Sequence, residues 1–391
     1  MNNITKTLSD SGYDFYFLVV DNFLDINIQE HLPNFYQIYA YKKEGIRSRD
    51  FCLESIGEKL PEKNTGRLIS HPKVIEFIKN NSLNTGNKVA IIPFKPSAKL
   101  DLICKKNNWL NISNPSQLNR TLEDKIKFTE FCISNNIPII SSKIITLSKK
   151  EFLNAQKKFG NKLVLQTHFG WAGNSTYFAN SWQEIKDKIT SGTITKVSPF
   201  LEGYSLLNNC CLTKHGLIQS PPAIQYTGLS QFTQNPFATV GRQWPCLAPI
   251  FIQEKIKKIS EQFSSAISKL NYKGFFGLDF FVDKNNNVFL LECNPRLTAS
   301  FAFYTDIEIN NNINPLFFFH LLEFINIKYS IDIKDEQSRF DNQNIIGSEI
   351  TKKNSSSQTI QKINNFEIFS KSLNPIKILP QIISQFETKK L

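Results

Sequence analysis

The fold of this chain is decided by two neighbouring stretches, GFFGLDFFVD at residues 274–283 and VFLLECNPRL at residues 288–297. Both are apolar runs, and the polar residues 284–287 separate them, a pattern that predicts a β-hairpin. Alternate side chains of a strand share one face of the sheet. Glu292 and Asn294 are two residues apart, so they are expected to lie on the same face.

Counting along the two strands brings a third oxygen-bearing side chain to this face. If the four polar residues form the loop, Asp283 pairs with Val288, and Asp279 then lies opposite Glu292. Directly opposed Cβ atoms lie about 5 Å apart, so Asp279, Glu292 and Asn294 are expected to converge. Two carboxylates this close within apolar runs repel each other unless a cation or a shared proton compensates. The set suits a hard ion such as Mg²⁺, whereas Zn²⁺ prefers Cys or His; a solvated edge hairpin that happens to carry acids is the alternative.

Composition limits the class of protein. The 391 residues are 41% hydrophobic, enough for two or three subdomains with a sizeable core. The first twelve residues lack an apolar signal segment, and the most apolar helix candidate, residues 315–327, is too short to span a bilayer. We therefore expect a cytoplasmic protein without a membrane partner.

Charge and cysteine content exclude two further classes. The net charge is +12, but the lysines are dispersed and form no basic stripe, so a nucleic-acid partner is not expected. Seven cysteines without a C-x-x-C pair indicate neither a disulfide framework nor a zinc site. They are expected to be small buried hydrophobic residues.

Residues 1–112 alternate apolar strands with helical patterns, which predicts a small Rossmann-like α/β domain. The first strand is not followed by G-x-G-x-x-G, so a dinucleotide site there is not expected. The expected strands are residues 15–20, 37–41 and 89–94, and the expected helices are residues 72–79 and 97–106.

Residues 113–328 read as a second unit of mixed α+β type. Residues 121–124 are expected to open a helix that carries Lys125, and Ser148 with Glu151 has the spacing of a capping box. The remaining expected elements are strands at residues 163–166, 196–200, 206–213 and 217–225 and a helix at about 249–270. The polar tail 329–391 contains an expected flexible loop at 352–357 and a short apolar stretch at 376–383.

Other residues of this unit suit a nucleotide. The loop 169–176 follows the expected strand 163–166, and its two glycines let backbone N–H groups approach an anion, although an ordinary turn looks the same. Glu202, before Gly203, is either a ribose-binding acid or an exposed turn acid. Arg296 and the loop residue Arg242 are candidates for binding a phosphate or carboxylate; a surface position explains Arg242 equally well.

In order and spacing these residues resemble the ATP-grasp superfamily. The resemblance rests on Asp124-Lys125 at a helix start, the Gly-containing loop, the Glu-Gly pair and, most specifically, G-x-D-F and E-x-N-P-R in the hairpin. It covers roughly residues 115–310. It implies an α/β protein with an ATP-grasp module of two lobes at residues 113–328, the Rossmann-like domain before it and a C-terminal extension after it.

The resemblance also implies roles for individual residues. The metal ligands would be Asp279, Glu292 and Asn294, with Glu292 bridging two Mg²⁺ ions for which Mn²⁺ could substitute. The residues around ATP would be Lys125, Gln166, Gly170, Gly173, Asn174, Ser175 and Glu202. The catalytic residue would be Arg296, which would steady the transferred phosphoryl group or the acceptor carboxylate; Arg242 is the second catalytic candidate, from its place on the expected loop.

One position departs from the family pattern. The strand before the phosphate loop usually ends in a second phosphate-binding lysine, and this chain has Gln166 there. An amide donates a hydrogen bond but carries no charge. His168 or Arg242 would offset the deficit, or the chain belongs to a subgroup that uses glutamine.

The function implied is an ATP-dependent carboxylate-amine ligase that forms an acylphosphate, then an amide or peptide bond, and releases ADP and phosphate. Its substrates would be a small carboxylate and an amine, with amino-acid and peptide ligases as the nearest subgroup. The alternatives are a non-catalytic nucleotide-binding or scaffold protein and an ATP-grasp enzyme with another acceptor, such as bicarbonate or a thiol. The sequence leaves the oligomeric state open, and a dimer is compatible with it.

Overall fold

The computed structural model of the protein describes residues 2–170, 175–230, 232–342 and 345–351. The loop expected at 352–357 and the apolar stretch at 376–383 lie outside the described residues. None of the described helices has the length and apolar character needed to cross a bilayer. The seven cysteines are all buried and none forms a disulfide, as the sequence predicts.

The N-terminal part is an open parallel sheet of five strands in the order β3-β2-β1-β4-β5, which confirms the predicted α/β layer. The strands are β1 (Tyr13–Val19), β2 (Phe35–Tyr39), β3 (Phe51–Cys52), β4 (Lys88–Pro93) and β5 (Leu110–Asn111). The helices are α1 (Asn2–Ser9), α2 (Thr65–Ser70), α3 (Pro72–Thr85) and α4 (Ala98–Asn107). The central strands β1 and β2 are buried almost throughout, because helices and loops cover both faces of the sheet.

A small antiparallel sheet follows, with the strand order β6-β9-β7-β8. Its strands are β6 (Lys143–Thr146), β7 (Leu163–Gln166), β8 (Thr176–Ala179) and β9 (Ile194–Pro199). The helices of this region are α5 (Ser116–Glu123), α6 (Lys125–Ser134), α7 (Lys149–Phe159) and α8 (Trp182–Ile185). The predicted helix start is confirmed at α7, where the Ser148 hydroxyl accepts a hydrogen bond from the Glu151 N–H at 3.2 Å, while the Glu151 carboxylate accepts from Lys143 and Asn154.

The largest sheet has seven strands in the order β15-β14-β10-β12-β13-β16, with β11 paired to β10. The strands are β10 (Gly203–Thr213), β11 (Gly216–Gln219), β12 (Ala223–Thr227), β13 (Thr239–Trp244), β14 (Gly274–Asp283), β15 (Val288–Asn294) and β16 (Gly347–Ile350). The helices are α9 (Ile250–Ser268), α10 (Phe301–Asn310), α11 (Leu316–Phe324) and α12 (Ile333–Asn342).

Aromatic packing joins the N-terminal sheet to the helices that follow the hairpin. The ring centroids of Phe17 in β1 and Phe301 in α10 are 5.4 Å apart, and those of Phe35 in β2 and Phe317 in α11 are 6.0 Å apart. These rings belong to one continuous hydrophobic core. The N-terminal sheet is therefore held in a fixed place against the large sheet.

The C-terminal segment contributes directly to the large sheet. Strand β16 pairs antiparallel with β13, and Gly241 lies opposite Ile350. This strand was not predicted, because four residues beginning with Gly and Ser carry little strand signal.

Two expected elements differ from the structure. The single strand expected at 217–225 is divided into β11 and β12, because Pro221 and Pro222 cannot donate to a strand ladder. The helix expected to open at 121–124 is two helices, α5 and α6. Asp124 separates them, and its carboxylate caps α6 by accepting hydrogen bonds from the N–H groups of Ile126 and Lys127.

Candidate active site

The predicted hairpin is present, and Asp279 lies directly opposite Glu292. The route to this pairing differs from the prediction. Val282, not Asp283, pairs with Val288, and a β-bulge next to Asp279 then shifts the register by one residue. The predicted Asp283–Val288 pair was wrong because Asp283, the last residue of β14, closes the turn with Asn287: its N–H donates to the Asn287 carbonyl, and its carboxylate accepts from the N–H groups of Asn285 and Asn287.

The three predicted ligand side chains meet on one face of the hairpin. Asp279 accepts hydrogen bonds from the side-chain amides of Gln225 and Asn294, the latter at 3.1 Å. Asn294 Oδ1 is turned the other way and accepts from Arg296 Nη2 at 3.0 Å. Burial, followed by the charge of Glu292, raises the pKa of Asp279 to about 7. The two carboxylates therefore depend on the same nearby positive charge to stabilise their ionised forms.

Lys125 supplies a positive charge beside these acids. It is the first residue of α6, and its Nζ lies 2.9 Å from Glu292 Oε2. Burial opposes the charge of Lys125, but Glu292 and Asp279 outweigh it and raise the lysine pKa. Burial likewise opposes ionisation of Glu292, and Lys125 outweighs it and lowers the pKa of the acid. The pair is consequently ionised around neutral pH.

Arg296 is held at the end of the hairpin by an acid that sequence reasoning did not select. Glu123, the last residue of α5, accepts from Arg296 Nε at 2.8 Å and lies 2.8 Å from Lys95 Nζ. Lys95 follows strand β4 of the N-terminal sheet. One carboxylate therefore connects the N-terminal sheet to the hairpin, and a strand-end lysine near a helix-end acid was the available sequence signal.

Arg242 lies in strand β13, not in the predicted loop, because the surrounding residues pair with β12 on one side and β16 on the other. Its guanidinium forms an ion pair with Glu349 of β16, and both side chains are largely buried. The C-terminal segment thus delivers an acid to the same cavity. Sequence reasoning missed this acid because strand β16 itself was not predicted.

The phosphate-loop candidates are only partly described. Gly173 and Asn174 lie outside the described residues, whereas Gly170 and Ser175 stand at the two ends of the gap. A Cβ atom on Gly170 would lie 2.1 Å from the Ser175 hydroxyl, so only glycine allows this approach. The Ser175 hydroxyl is buried and has no hydrogen-bond partner among the described residues. An orphaned donor at this place suits an anion.

Gln166 ends strand β7, and its amide donates to Thr176 Oγ1 at 3.2 Å. The residue paired with it on strand β9 is Lys196, which is 6% exposed and lines the cavity. Sequence reasoning assigned Lys196 to a strand but not to the site. The signal was available, since a lysine inside an apolar strand is unusual unless its charge is used.

Glu202 is not brought into the cavity. The residue is exposed, and its backbone carbonyl accepts from the Lys284 N–H at 3.2 Å, which fixes the start of β10 against the hairpin turn. Phe200 and Leu201 line the cavity in its place. The predicted contact between Glu202 and adenosine has no support in this position.

The remaining candidates surround one cavity of about 980 Å³ between the small sheet, the large sheet and the N-terminal domain. Such a volume is at the upper end of ordinary ligand pockets. The cavity is lined by both sheet faces and by residues that follow β1 and β4 of the N-terminal sheet. The sequence-predicted residues in its lining are Lys125, Gln166, Gly170, Arg242, Asp279, Glu292, Asn294 and Arg296.

The donor set fits magnesium that is shared with a ligand. No group of three or more His, Cys, Asp or Glu side chains among the described residues is placed to hold a metal. Mg²⁺ commonly takes one or two carboxylates and completes its octahedron with water and substrate phosphates. Asp279 and Glu292 match that pattern, and Lys125 indicates that this place requires a cation.

Comparison with known proteins agrees with this geometry. Residues 122–300 match the model of a family described as an ATP-grasp domain. Residues 122–300 therefore form an ATP-grasp domain. The fold class expected from the sequence is thereby confirmed: an ATP-grasp fold preceded by a small Rossmann-like α/β domain.

Individual relatives of this ATP-grasp protein are distant. It is 24% identical over 226 residues to N5-carboxyaminoimidazole ribonucleotide synthase of Staphylococcus aureus (strain MRSA252), and the match spans 54% of each chain. The chain therefore aligns with about half the length of that curated relative. The solved structure of N5-carboxyaminoimidazole synthetase from Staphylococcus aureus with ADP has a TM-score of 0.56 and 14% identity, covering 81% of this chain and 78% of the other.

A further solved structure is the biotin carboxylase domain dimer of the Hydrogenobacter thermophilus 2-oxoglutarate carboxylase, in complex with MgADP, ADP and bicarbonate. It has a TM-score of 0.57 and 12% identity, covering 82% of this chain and 72% of the other. At these identities the structural likeness establishes the fold of the ATP-grasp protein and not its reaction.

Proposed function

We propose that this protein is an ATP-dependent ligase that joins a carboxylic or carbonic acid to an amine, with release of ADP and phosphate. The observation that carries the proposal is a pair of acids in the wall of a large cavity: Asp279 lies directly opposite Glu292. The Nζ atom of Lys125 lies 2.9 Å from Glu292 and supplies a positive charge beside the pair. Phosphoryl transfer depends on positioning and on cations that neutralise developing charge. The site offers those cations and requires no nucleophilic side chain.

The residues of the cavity would have different roles in binding the metal, the nucleotide and the acid substrate. Asp279 and Glu292 would hold Mg²⁺, which when bound to ATP supplies charge neutralisation at the transferred phosphate. Lys125 would lie against the phosphates while it keeps Glu292 ionised. Arg296 donates to Glu123, Asn294 and the Leu297 carbonyl, so its guanidinium is held in a fixed orientation at the place where the acid substrate or the acylphosphate would bind.

The second substrate would bind where the N-terminal sheet opens into the cavity. The order β3-β2-β1-β4-β5 reverses direction between β1 and β4, and ligands of open α/β sheets bind at the carboxyl ends of strands at such a point. Phe23, Lys95 and Ser97 follow these two strands and line the cavity. The connection from Lys95 through Glu123 to Arg296 joins this crevice to the hairpin.

The acid remains a choice between bicarbonate and a small organic carboxylate. The likenesses favour bicarbonate, since a similar structure holds MgADP with bicarbonate and the named relative is a carboxyaminoimidazole ribonucleotide synthase. The narrower expectation of an amino-acid or peptide ligase has no support among these proteins. With bicarbonate the reaction is still a carboxylate-amine ligation, because the product is an N-carboxylated amine.

The test is product analysis with purified protein, ATP and Mg²⁺. Parallel reactions contain an amine panel with ¹³C-bicarbonate, the same panel with small carboxylates, or neither acid, and mass spectrometry follows ADP and condensed products. We expect ADP release that requires both an acid and an amine. Asp279→Asn should abolish it, whereas Glu261→Gln, an exposed acid on α9, should not.

Two results would contradict the proposal. ADP release at equal rates in the Asp279→Asn variant would place catalysis elsewhere. Tight nucleotide binding without ADP formation on any acid and amine pair would favour the alternative of a non-catalytic nucleotide-binding protein.

A further inference from the structure

The strand position that usually carries a phosphate-binding lysine in this fold is Gln166, and the ladder places a lysine directly beside it. Strands β7 and β9 are antiparallel, and Gln166 is paired with Lys196. Paired residues of neighbouring strands project from the same face, with Cβ atoms about 5 Å apart. A lysine in either position therefore reaches the same part of the cavity.

The pattern of burial confirms which face these side chains occupy. Leu165 and Val197, one residue away on each strand, belong to the hydrophobic core on the opposite face. Gln166, Lys196 and Ser198 all line the cavity. The ammonium group of Lys196 is therefore directed into the cavity, and the residue is only 6% exposed.

Lys196 also differs in its partners from four other cations of the cavity; Arg120, which lines the cavity as well, is exposed on α5 and lies over the Phe169 ring. Lys95, Lys125, Arg242 and Arg296 each pair with a carboxylate. Among the described residues none makes a hydrogen bond or ion pair with the Lys196 ammonium group. A buried charge without a partner is costly unless a ligand compensates it.

The two substitutes considered from the sequence are already engaged. The Nδ1 atom of His168 lies 2.9 Å from the Asp124 carboxylate, which itself caps α6. Arg242 forms an ion pair with Glu349. Neither offers an uncommitted positive charge in the place of residue 166.

We propose that Lys196 is a second nucleotide-binding lysine of this site, in addition to Lys125, and contacts the phosphates of ATP from strand β9, replacing the charge that Gln166 lacks. The inference rests on the proposed function in that both place ATP in this cavity. Gln166 then acts as a neutral neighbour, since two lysines in paired positions would repel each other.

The experiment measures binding of MgADP by calorimetry and of adenosine by NMR titration to the 391-residue chain and three variants. Lys196→Gln should weaken MgADP about 10- to 100-fold, as expected for the loss of a charge-assisted hydrogen bond, and leave adenosine within twofold. The double variant Lys196→Gln with Gln166→Lys moves the lysine from strand β9 to the paired position on strand β7. It should restore MgADP affinity to within about threefold of wild type. Lys143→Gln, an exposed lysine of the same sheet, is the matched control and should change nothing.

The outcomes separate this inference from the proposed reaction. MgADP affinity within twofold of wild type in Lys196→Gln, an equal loss for adenosine, or no recovery in the double variant would each overturn the role of Lys196. If Lys196→Gln failed to fold by circular dichroism, Lys196→Met and the double variant would provide the same comparison. Wild-type protein that binds MgADP but forms no product contradicts only the ligase reaction, whereas wild type that binds no MgADP overturns both.

Discussion

Glu349 forms an ion pair with Arg242 across the edge of the large sheet, so the C-terminal strand β16 completes a wall of the large cavity. Both side chains are mostly buried, at 15% and 20% exposure. The C-terminal segment is thus a part of the site and not an appendage to it.

The first prediction compares this pair with an exposed pair in the same segment. Glu349→Ala leaves the Arg242 guanidinium partly buried without its acid, and we expect a loss of about 2–3 kcal/mol in the free energy of unfolding. Asp341→Ala removes the exposed partner of Lys257 and should cost less than about 1 kcal/mol. Urea denaturation measures both values, and equal losses would show that the Arg242 pair is not specially buried.

The second prediction concerns the lysine at the start of α6. Lys125→Met removes the partner of Glu292 and one of the charges that would face the nucleotide phosphates. We expect MgADP affinity to fall about 10- to 100-fold. Lys127→Met, an exposed lysine on the same helix, is the control and should keep wild-type affinity in calorimetry. An unchanged affinity in Lys125→Met would separate Lys125 from the nucleotide.

The third prediction is a pH dependence of stability that arises far from the cavity. His320 of α11 is buried; its Nδ1 accepts from the Phe275 N–H at 3.0 Å. Burial is the main cause that lowers the histidine pKa, to about 3, and the charge of Lys273 also lowers it. The hydrogen bond with the Ile112 backbone raises the pKa and offsets part of this shift. The unfolded chain therefore binds a proton that the folded chain does not.

For this histidine, the stabilisation is fully present above pH 6.5 and is lost as the pH falls from about 6.5 toward 3, by several kcal/mol in all. Urea denaturation between pH 7 and pH 4.5 measures this loss. His320→Gln keeps a donor and an acceptor but does not titrate, so its stability should fall less over that range. His215→Gln, an exposed histidine, should behave like wild type. Parallel pH profiles for His320→Gln and wild type would contradict the assignment.

The fourth prediction tests the close approach at the phosphate loop. In Gly170→Ala the new Cβ would meet the Ser175 hydroxyl at 2.1 Å and the Ser175 backbone nitrogen at 2.7 Å, so the end of the loop must move. We expect about tenfold weaker MgADP binding with little change in melting temperature, because neither Gly170 nor Ser175 belongs to a hydrophobic core. A large fall in melting temperature without a loss of nucleotide affinity would assign Gly170 to folding alone.

The sequence predicted those parts of the site that are local in the chain. Asp279, Glu292 and Asn294 lie on one hairpin, so alternation and counting were enough to place them together. Lys125 follows a helix-capping Asp, which is also a local signal. Elements with strong periodicity were placed for the same reason, including strand β7 at residues 163–166.

The parts that were missed depend on which strands become neighbours. Nothing in the sequence states that β9 lies beside β7, and only that pairing makes Lys196 equivalent to residue 166. The acids Glu123 and Glu349 were missed for the same physical reason. Each forms its ion pair across a large sequence separation, with Arg296 and Arg242 respectively.

The bulge in the hairpin gives the strands one pairing register near the turn and another, shifted by one residue, at the acids. Between the bulge and the turn, Val282 pairs with Val288, and beyond the bulge Asp279 pairs with Glu292. The two parts of the hairpin therefore have different pairing registers. If the regular pairing continued past Leu290 without the bulge, Leu291 would take the place opposite Asp279. Glu292 and Asn294 would then turn toward the core, and Cys293 would face the cavity. The extra residue that the bulge accommodates thus determines whether the strand presents a carboxylate or a thiol to the cavity.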